Sequence, residues 1–144
     1  MLQHHHLETD LIGVPYTDVP RAWPHVERLI SGACDRSNGR FRPQDILNGL
    51  LERDYQLWVA FSESENSIKA VGVTEVVCYR SGLKLLVILM LTGQDREQWT
   101  GHMPAIQQWG REQGCTRMLV WARPGWEREM TDFKRTHIVL EAAL

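Results

Sequence analysis

Leu83 to Leu91 reads LKLLVILML, and Thr92-Gly93-Gln94-Asp95 follows it at once. Apart from Lys84 this nine-residue run is apolar at every position, with no alternation. A strand of that kind is buried on both faces, in the middle of a sheet covered above and below. The turn after it opens a polar-start helix over residues 95–113, in which Trp99, Met103, Ile106 and Gly110 fall on one side. Thr116 to Ala122 (TRMLVWA) is then a second apolar strand. Strand, helix, strand at this spacing predicts a parallel pair. A buried strand that ends in a tight turn and feeds a helix N-terminus is a place to hold an anion, so a phosphate-bearing ligand is expected at this turn.

Upstream of the run the pattern changes to alternation. Gln56 to Ser62 (QLWVAFS) reads as a strand, Ser62 to Ser67 (SESENS) as a polar hairpin tip, and Ile68 to Tyr79 as a long strand with Gly72 as a candidate bulge. Arg80-Ser81-Gly82 turns into the central run. Earlier still, Asp18-Val19-Pro20 starts a helix that places Val26, Leu29, Ile30 and Ala33 on one face. Asp35 to Arg40 (DRSNGR) is a turn. Pro43 opens a second helix with Ile46, Leu47, Leu50 and Leu51 as its stripe, and Glu52-Arg53-Asp54 end it. Residues 1–17 form an extended lead-in.

Downstream, Gly101 and Pro104 sit inside the third helix, where Pro104 removes a hydrogen bond and is expected to kink or split it. Gly114 is its stop. Pro124-Gly125 starts a short helix to about Phe133, and Thr136 to Ala142 is expected as a closing strand. The whole predicts one domain over residues 18–144: an α/β sandwich on a mixed sheet, with antiparallel hairpins and one parallel strand-helix-strand unit.

The chain has 144 residues, 43% of them hydrophobic, which suits a single folded core. Sixteen basic against 18 acidic residues leave a net charge of -2, and nothing in that balance points to nucleic acid or an acidic membrane. The longest apolar run is far short of the roughly 20 residues that span a bilayer. The start, Met1 to His6, lacks the basic and apolar regions of a signal peptide, so a cytoplasmic location is expected. Cys34, Cys78 and Cys115 are odd in number and include no CxxC pair, which argues for small buried or half-buried thiols over a disulfide framework or a zinc site. No metal is expected at His4-His5-His6 either, since adjacent side chains converge poorly on one ion.

This order of elements, over residues 18–144, resembles the GNAT superfamily of N-acetyltransferases. Trp109 to Cys115 (WGREQGC) followed by the strand at 116–122 is similar to the end of the third helix and the fifth strand of that fold, and Asp132 to Arg135 leading into Ile138 to Leu140 is similar to its turn into a last strand. Tyr55 to Trp58 (YQLW), Val73 to Val77 (VTEVV) and Arg123 to Trp126 (RPGW) resemble, more narrowly, small GNAT-like proteins of tailed phages and prophages. The resemblance implies transfer of an acetyl group from acetyl-coenzyme A to an amine. It implies a pyrophosphate on a Q/R-x-x-G-x-G/A loop and a pantetheine arm between splayed fourth and fifth strands.

The matching residues here are Leu89, Leu91, Thr92, Gly93, Gln94, Asp95 and Arg96. Only one glycine of the loop motif is present, and Asp95 and Glu97 bring negative charge to it. Asp95 therefore reads either as a plain helix cap or as part of a cofactor loop. The resemblance also implies a base carboxylate on the sheet, for which Glu75 is the candidate, and a tyrosine on the fourth helix to protonate the leaving thiolate. Trp126 to Phe133 contains no tyrosine. Three functions follow: an acyltransferase, a binder of acyl-coenzyme A without turnover, or a phage accessory protein with structural proteins as partners.

Six tryptophans are many for this length. Trp58, Trp99, Trp109 and Trp121 fall at apolar positions and are expected in the core. Trp23 and Trp126, beside prolines near helix starts, are candidate partner contacts. His25, His102 and His137 are expected on the surface, and no serine lies in a nucleophile elbow. Arg123, Arg128, Lys134 and Arg135 alternate with acidic residues and make a mixed solvated face.

Overall fold

A computed structural model describes the backbone of residues 9–93, 96–122 and 124–144, and of these all side chains except those of 96–98 and 124. Five strands form one sheet in the order β1-β2-β3-β4-β5: Asp10–Val14, Tyr55–Ser62, Ser67–Cys78, Lys84–Gly93 and Arg117–Val120. The first four are antiparallel, and β5 joins β4 parallel. Three α-helices, α1 (Val19–Asp35), α2 (Pro43–Leu51) and α3 (Arg96–Glu112), cover the faces.

Side-chain alternation on β2 sorts the core into two layers. Leu57 and Val59 join Val26, Ile30, Ile46 and Leu50 of α1 and α2. Trp58 and Ala60 join Trp99 and Ile106 of α3. Gly110 lets α3 sit on β4, since a Cβ there would lie 2.9 Å from Leu86 Cδ2. At the end of α3, Gly114 takes φ 88° and the Cys115 amide donates to the Gly110 carbonyl at 2.9 Å, which closes the helix. Thr116 N then donates to Lys84 O at 3.1 Å and sets the start of the parallel pair.

The mixed α/β architecture expected from the sequence is the observed one, and several details differ. Part of the lead-in is a strand: β1 pairs with β2 from Asp10↔Phe61 to Val14↔Leu57. Despite Pro104, residues 96–112 form one helix, not two. The bulge expected at Gly72 lies elsewhere, because Gly72 pairs in register with Trp58 and Leu91. The short helix after β5 is a 3-10 turn, Pro124–Arg128. No strand forms over Thr136–Ala142: residues 134–144 carry no regular structure, and Ile138, Val139 and Leu140 are exposed. A strand needs a neighbour to accept its backbone bonds, and the tail takes up none.

Cys78 is exposed, unlike Cys34 and Cys115, because it ends β3 beyond the layers. Trp121 is 66% exposed, because β5 stops at Val120. His102 is buried, 5% exposed, and its Nε2 lies 2.9 Å from Thr9 Oγ1. Burial lowers its pKa, with Asp10 acting weakly the other way. A depressed histidine stabilises the fold above its unfolded value, about pH 6.5, and that stability is lost as pH falls. Acidification from pH 7.5 to 5.5 is therefore expected to lower the melting temperature more steeply for the parent protein than for His102→Gln. Parallel pH profiles would remove His102 as the cause.

Candidate functional site

The slot of this site is the stretch of β4 that β5 leaves unpaired. Their parallel pairing runs only from Leu85↔Arg117 to Ile88↔Val120. β4 continues five residues further, to Gly93, still paired to β3 on its other side. β5 itself ends at Val120, so on its β5 side the backbone of Leu89 to Gly93 has no strand partner among the described residues. In parallel register Leu89 lies past the end of β5, whereas Thr116 to Met118 lies beside the first half of β4.

A bulge marks the same point. Val73 pairs with Met90 and Thr74 with Ile88, so Leu89 is an extra residue on β4. Leu86 and Met90, four apart, should share a face by alternation, yet they fall into opposite layers of the core. The extra residue turns the strand at the mouth of the slot.

Gly93 ends β4 at φ 145°, and a Cβ there would meet Ala70 Cβ at 2.5 Å and the Lys69 carbonyl oxygen at 2.6 Å. Close approach to β3 accounts for this glycine. Thr92 is buried, and its hydroxyl accepts a hydrogen bond from Arg36 Nη2 at 3.2 Å. Leu91 is half-buried on the α3 layer. Gln94 and Asp95 lie outside the described residues. Arg96 is the first residue of α3.

Beside the slot, on the α3 face, an apolar cleft holds about 570 Å³ of space including open solvent, walled by Leu91, Trp99, Met103, Trp126, Met130 and Phe133 among others. Trp126 is half-buried in that wall. The Trp99 indole Nε1 is buried with no hydrogen-bond partner among the described residues. An orphaned buried donor costs about 1–3 kcal/mol until an acceptor reaches it. Trp23, the other tryptophan expected at a partner surface, is half-buried against the layer under α1, where its ring is part of the core.

Glu75 is half-buried on β3, level with Tyr55 on β2 and Val87 on β4. Val87 precedes Leu89 by two residues, so Glu75 sits about 7 Å along the strand from the slot mouth. Burial pushes the Glu75 carboxyl above the usual glutamate range, and the Asp54 charge adds to this. The Tyr55 phenol is also raised, by burial first and then by Glu75, Asp54 and Asp45, and so stays protonated at neutral pH. The sign follows: a raised carboxylate costs stability once ionised. Glu75→Gln is expected to raise the melting temperature at pH 7 and to leave it unchanged below about pH 4, where glutamate is protonated in both states. Equal effects at both pH values would contradict the burial argument.

The sequence reading missed the neighbours of this site. Counted back from Ser62↔Ser67 without interruption, Tyr55 would meet Thr74. A bulge between Ala60 and Phe61 moves it to Glu75. Arg36 carries no sequence signal that links it to Thr92. Among the described residues no group of three or more His, Cys, Asp or Glu side chains could hold a metal, and no helix is long and apolar enough to cross a membrane.

No protein-family model matches this chain, and no curated protein matches it by sequence. Solved structures do. An aminoglycoside acetyltransferase from an uncultured soil metagenomic sample, in complex with sisomicin, is 17% identical at a TM-score of 0.70, over 95% of this chain and 97% of that one. A tetramutant of the BH1408 protein from Bacillus halodurans is 16% identical at 0.66, over 94% and 99%. A ribosomal-protein-alanine N-acetyltransferase from Brucella melitensis is 10% identical at 0.62, over 94% and 99%. The fold is therefore that of the GNAT-like acetyltransferases, and the chemistry has to be argued from the site.

Proposed function

We propose that this protein binds a coenzyme A thioester in the slot between β4 and β5 and transfers its acyl group to an amine. The observation that carries the reading is the coincidence of the Leu89 bulge with the end of β4–β5 pairing. It leaves extended backbone free to pair with an extended, amide-bearing ligand such as a pantetheine arm, much as a peptide adds to a sheet edge. Leu89, Leu91 and Thr92 would line that arm, and Gly93, Gln94, Asp95 and Arg96 would be the residues nearest its phosphates.

Acyl transfer needs the amine to attack the thioester carbonyl, the C–S bond to break and the amine proton to leave. Glu75 is the base of this proposal. Its raised pKa brings the carboxylate closer to neutrality, where a base accepts a proton best. Glu75→Gln is expected to lower kcat about a hundredfold while leaving acetyl-coenzyme A affinity unchanged. The test is calorimetric titration with acetyl-coenzyme A, followed by thiol release in the presence of a panel of amines. Binding with amine-dependent thiol release is the expected result, and no heat at millimolar ligand would end the proposal.

One observation favours a second reading. Trp126–Phe133 holds no tyrosine to protonate a leaving thiolate. Binding without thiol release from any amine would favour an acyl-coenzyme A binder without turnover. Its partners could then be sought among phage structural proteins, in line with the narrower resemblance.

A further inference from the structure

Two guanidinium groups stand near the C-terminal ends of β4 and β5, one at each. Arg36 directly follows α1 and donates to Thr92, one residue before the end of β4. Arg40, in the turn between α1 and α2, holds its guanidinium carbon 5.7 Å from the ring centroid of Trp121, the first residue after β5. One five-residue turn, Arg36–Arg40, thus reaches the C-terminal ends of both strands that bound the slot.

Neither charge is spent inside the protein. Among the described residues no carboxylate lies within ion-pair distance of Arg36. Arg40 meets Glu141 of the unstructured tail at 3.4 Å, with the two side chains 36% and 66% exposed. Such an exposed pair is weak and yields easily to a better anion. Meanwhile the sequence after β4 brings no net positive charge, since Asp95 and Glu97 flank Arg96. Gly93 is required by the close approach to Ala70.

We propose that Arg36 and Arg40 bind the phosphates of the coenzyme A thioester, supplying from the α1–α2 turn the charge that the turn after β4 lacks. A planar guanidinium with its donors facing outward suits phosphate oxygens in pairs. The assignment rests on the slot reading above. The same chemistry would suit a carboxylate carried by the acceptor amine, and the experiment separates the two sources.

The experiment is calorimetric titration with coenzyme A and with pantetheine, which lacks the phosphates, at low and moderate salt. The proteins are the parent, Arg36→Gln, Arg36→Lys, Arg40→Gln and the charge control Arg28→Gln, an exposed α1 residue. Arg36→Gln and Arg40→Gln should each weaken coenzyme A binding about tenfold or more and flatten its salt dependence. Arg36→Lys should lose less, and Arg28→Gln and all pantetheine affinities should stay at the parent value. Glu141→Gln, which frees Arg40, should tighten coenzyme A binding. Parent-like coenzyme A affinity in both glutamine variants overturns this proposal and leaves the slot standing. Parent-like affinity with a raised KM for a carboxylate-bearing amine overturns it in favour of the acceptor. Failure of the parent protein itself to bind coenzyme A overturns the slot as well, and shows before any variant is made.

Discussion

Gly93→Ala should destabilise the protein by about 2–6 kcal/mol. Two costs combine. At φ 145° an alanine occupies a region that L residues rarely adopt, worth about 1–3 kcal/mol. Its methyl would also lie 2.5 Å from Ala70 Cβ, 2.6 Å from the Lys69 carbonyl oxygen and 2.7 Å from Ala70 Cα. Those are atoms of β3, a strand held on both sides, so the strain adds about 1–3 kcal/mol more. Against a typical total of about 5–15 kcal/mol the loss should appear as a fall of roughly 10 °C or more in the melting temperature. Gly39→Ala and Gly82→Ala separate the two costs. Both positions have positive φ, at 81° and 91°, and nothing within 4 Å of a built Cβ. They should cost about 1 kcal/mol each. A Gly93→Ala protein as stable as these two would contradict the close approach of β4 to β3.

Gly49→Ala has the second-largest expected effect, and its sign is decided by a contest. Alanine is favoured over glycine inside a helix by about 1 kcal/mol. A Cβ at residue 49 of α2 would, however, lie 2.2 Å from Tyr55 Cδ2, 2.4 Å from Cε2 and 2.9 Å from Cγ. The ring cannot stay, and Tyr55 is the half-buried neighbour of Glu75 on the sheet. Overpacking should win, for a net loss of about 2 kcal/mol. Displacing the ring also opens Glu75 to water, so its pKa should return toward the ordinary range. Gly32→Ala on α1, where the nearest atom is Arg36 Nη1 at 3.7 Å, should be neutral or stabilising. In a Tyr55→Ala background the cost of Gly49→Ala should disappear, since the clash has no second partner. A cost that persists there would place its origin elsewhere than the ring.

The elements that were legible in the sequence are those whose signal is local. The run at 83–91 is buried on both faces and reads so directly. The stripe at Trp99, Met103, Ile106 and Gly110 is one face of α3, and the polar tip at 62–67 divides β2 from β3. What did not read is what depends on a distant partner. Thr136–Ala142 has the composition of a strand and pairs with no strand among the described residues, while Asp10–Val14 has no clear period and pairs with residues 57–61 of β2. Trp121 sits in an apolar stretch but beyond the last paired residue of β5. The same limit governs the site. Leu89 was reached through the resemblance, but the bulge that makes it distinctive exists only in the register between β3 and β4. Arg36 meets Thr92 across 56 residues of chain. Tyr55 meets Glu75 only because a bulge shifts the hairpin by one.

The most direct test of the slot is an amide map of the 15N-labelled protein during titration with acetyl-coenzyme A. The account predicts saturable shifts concentrated at Leu89, Met90, Leu91 and Thr92, on the part of β4 that β5 leaves uncovered, with the β1–β2 amides unmoved. Saturating acetyl-coenzyme A that leaves residues 89–92 unperturbed, or that shifts β1 and β2 in their place, would contradict it.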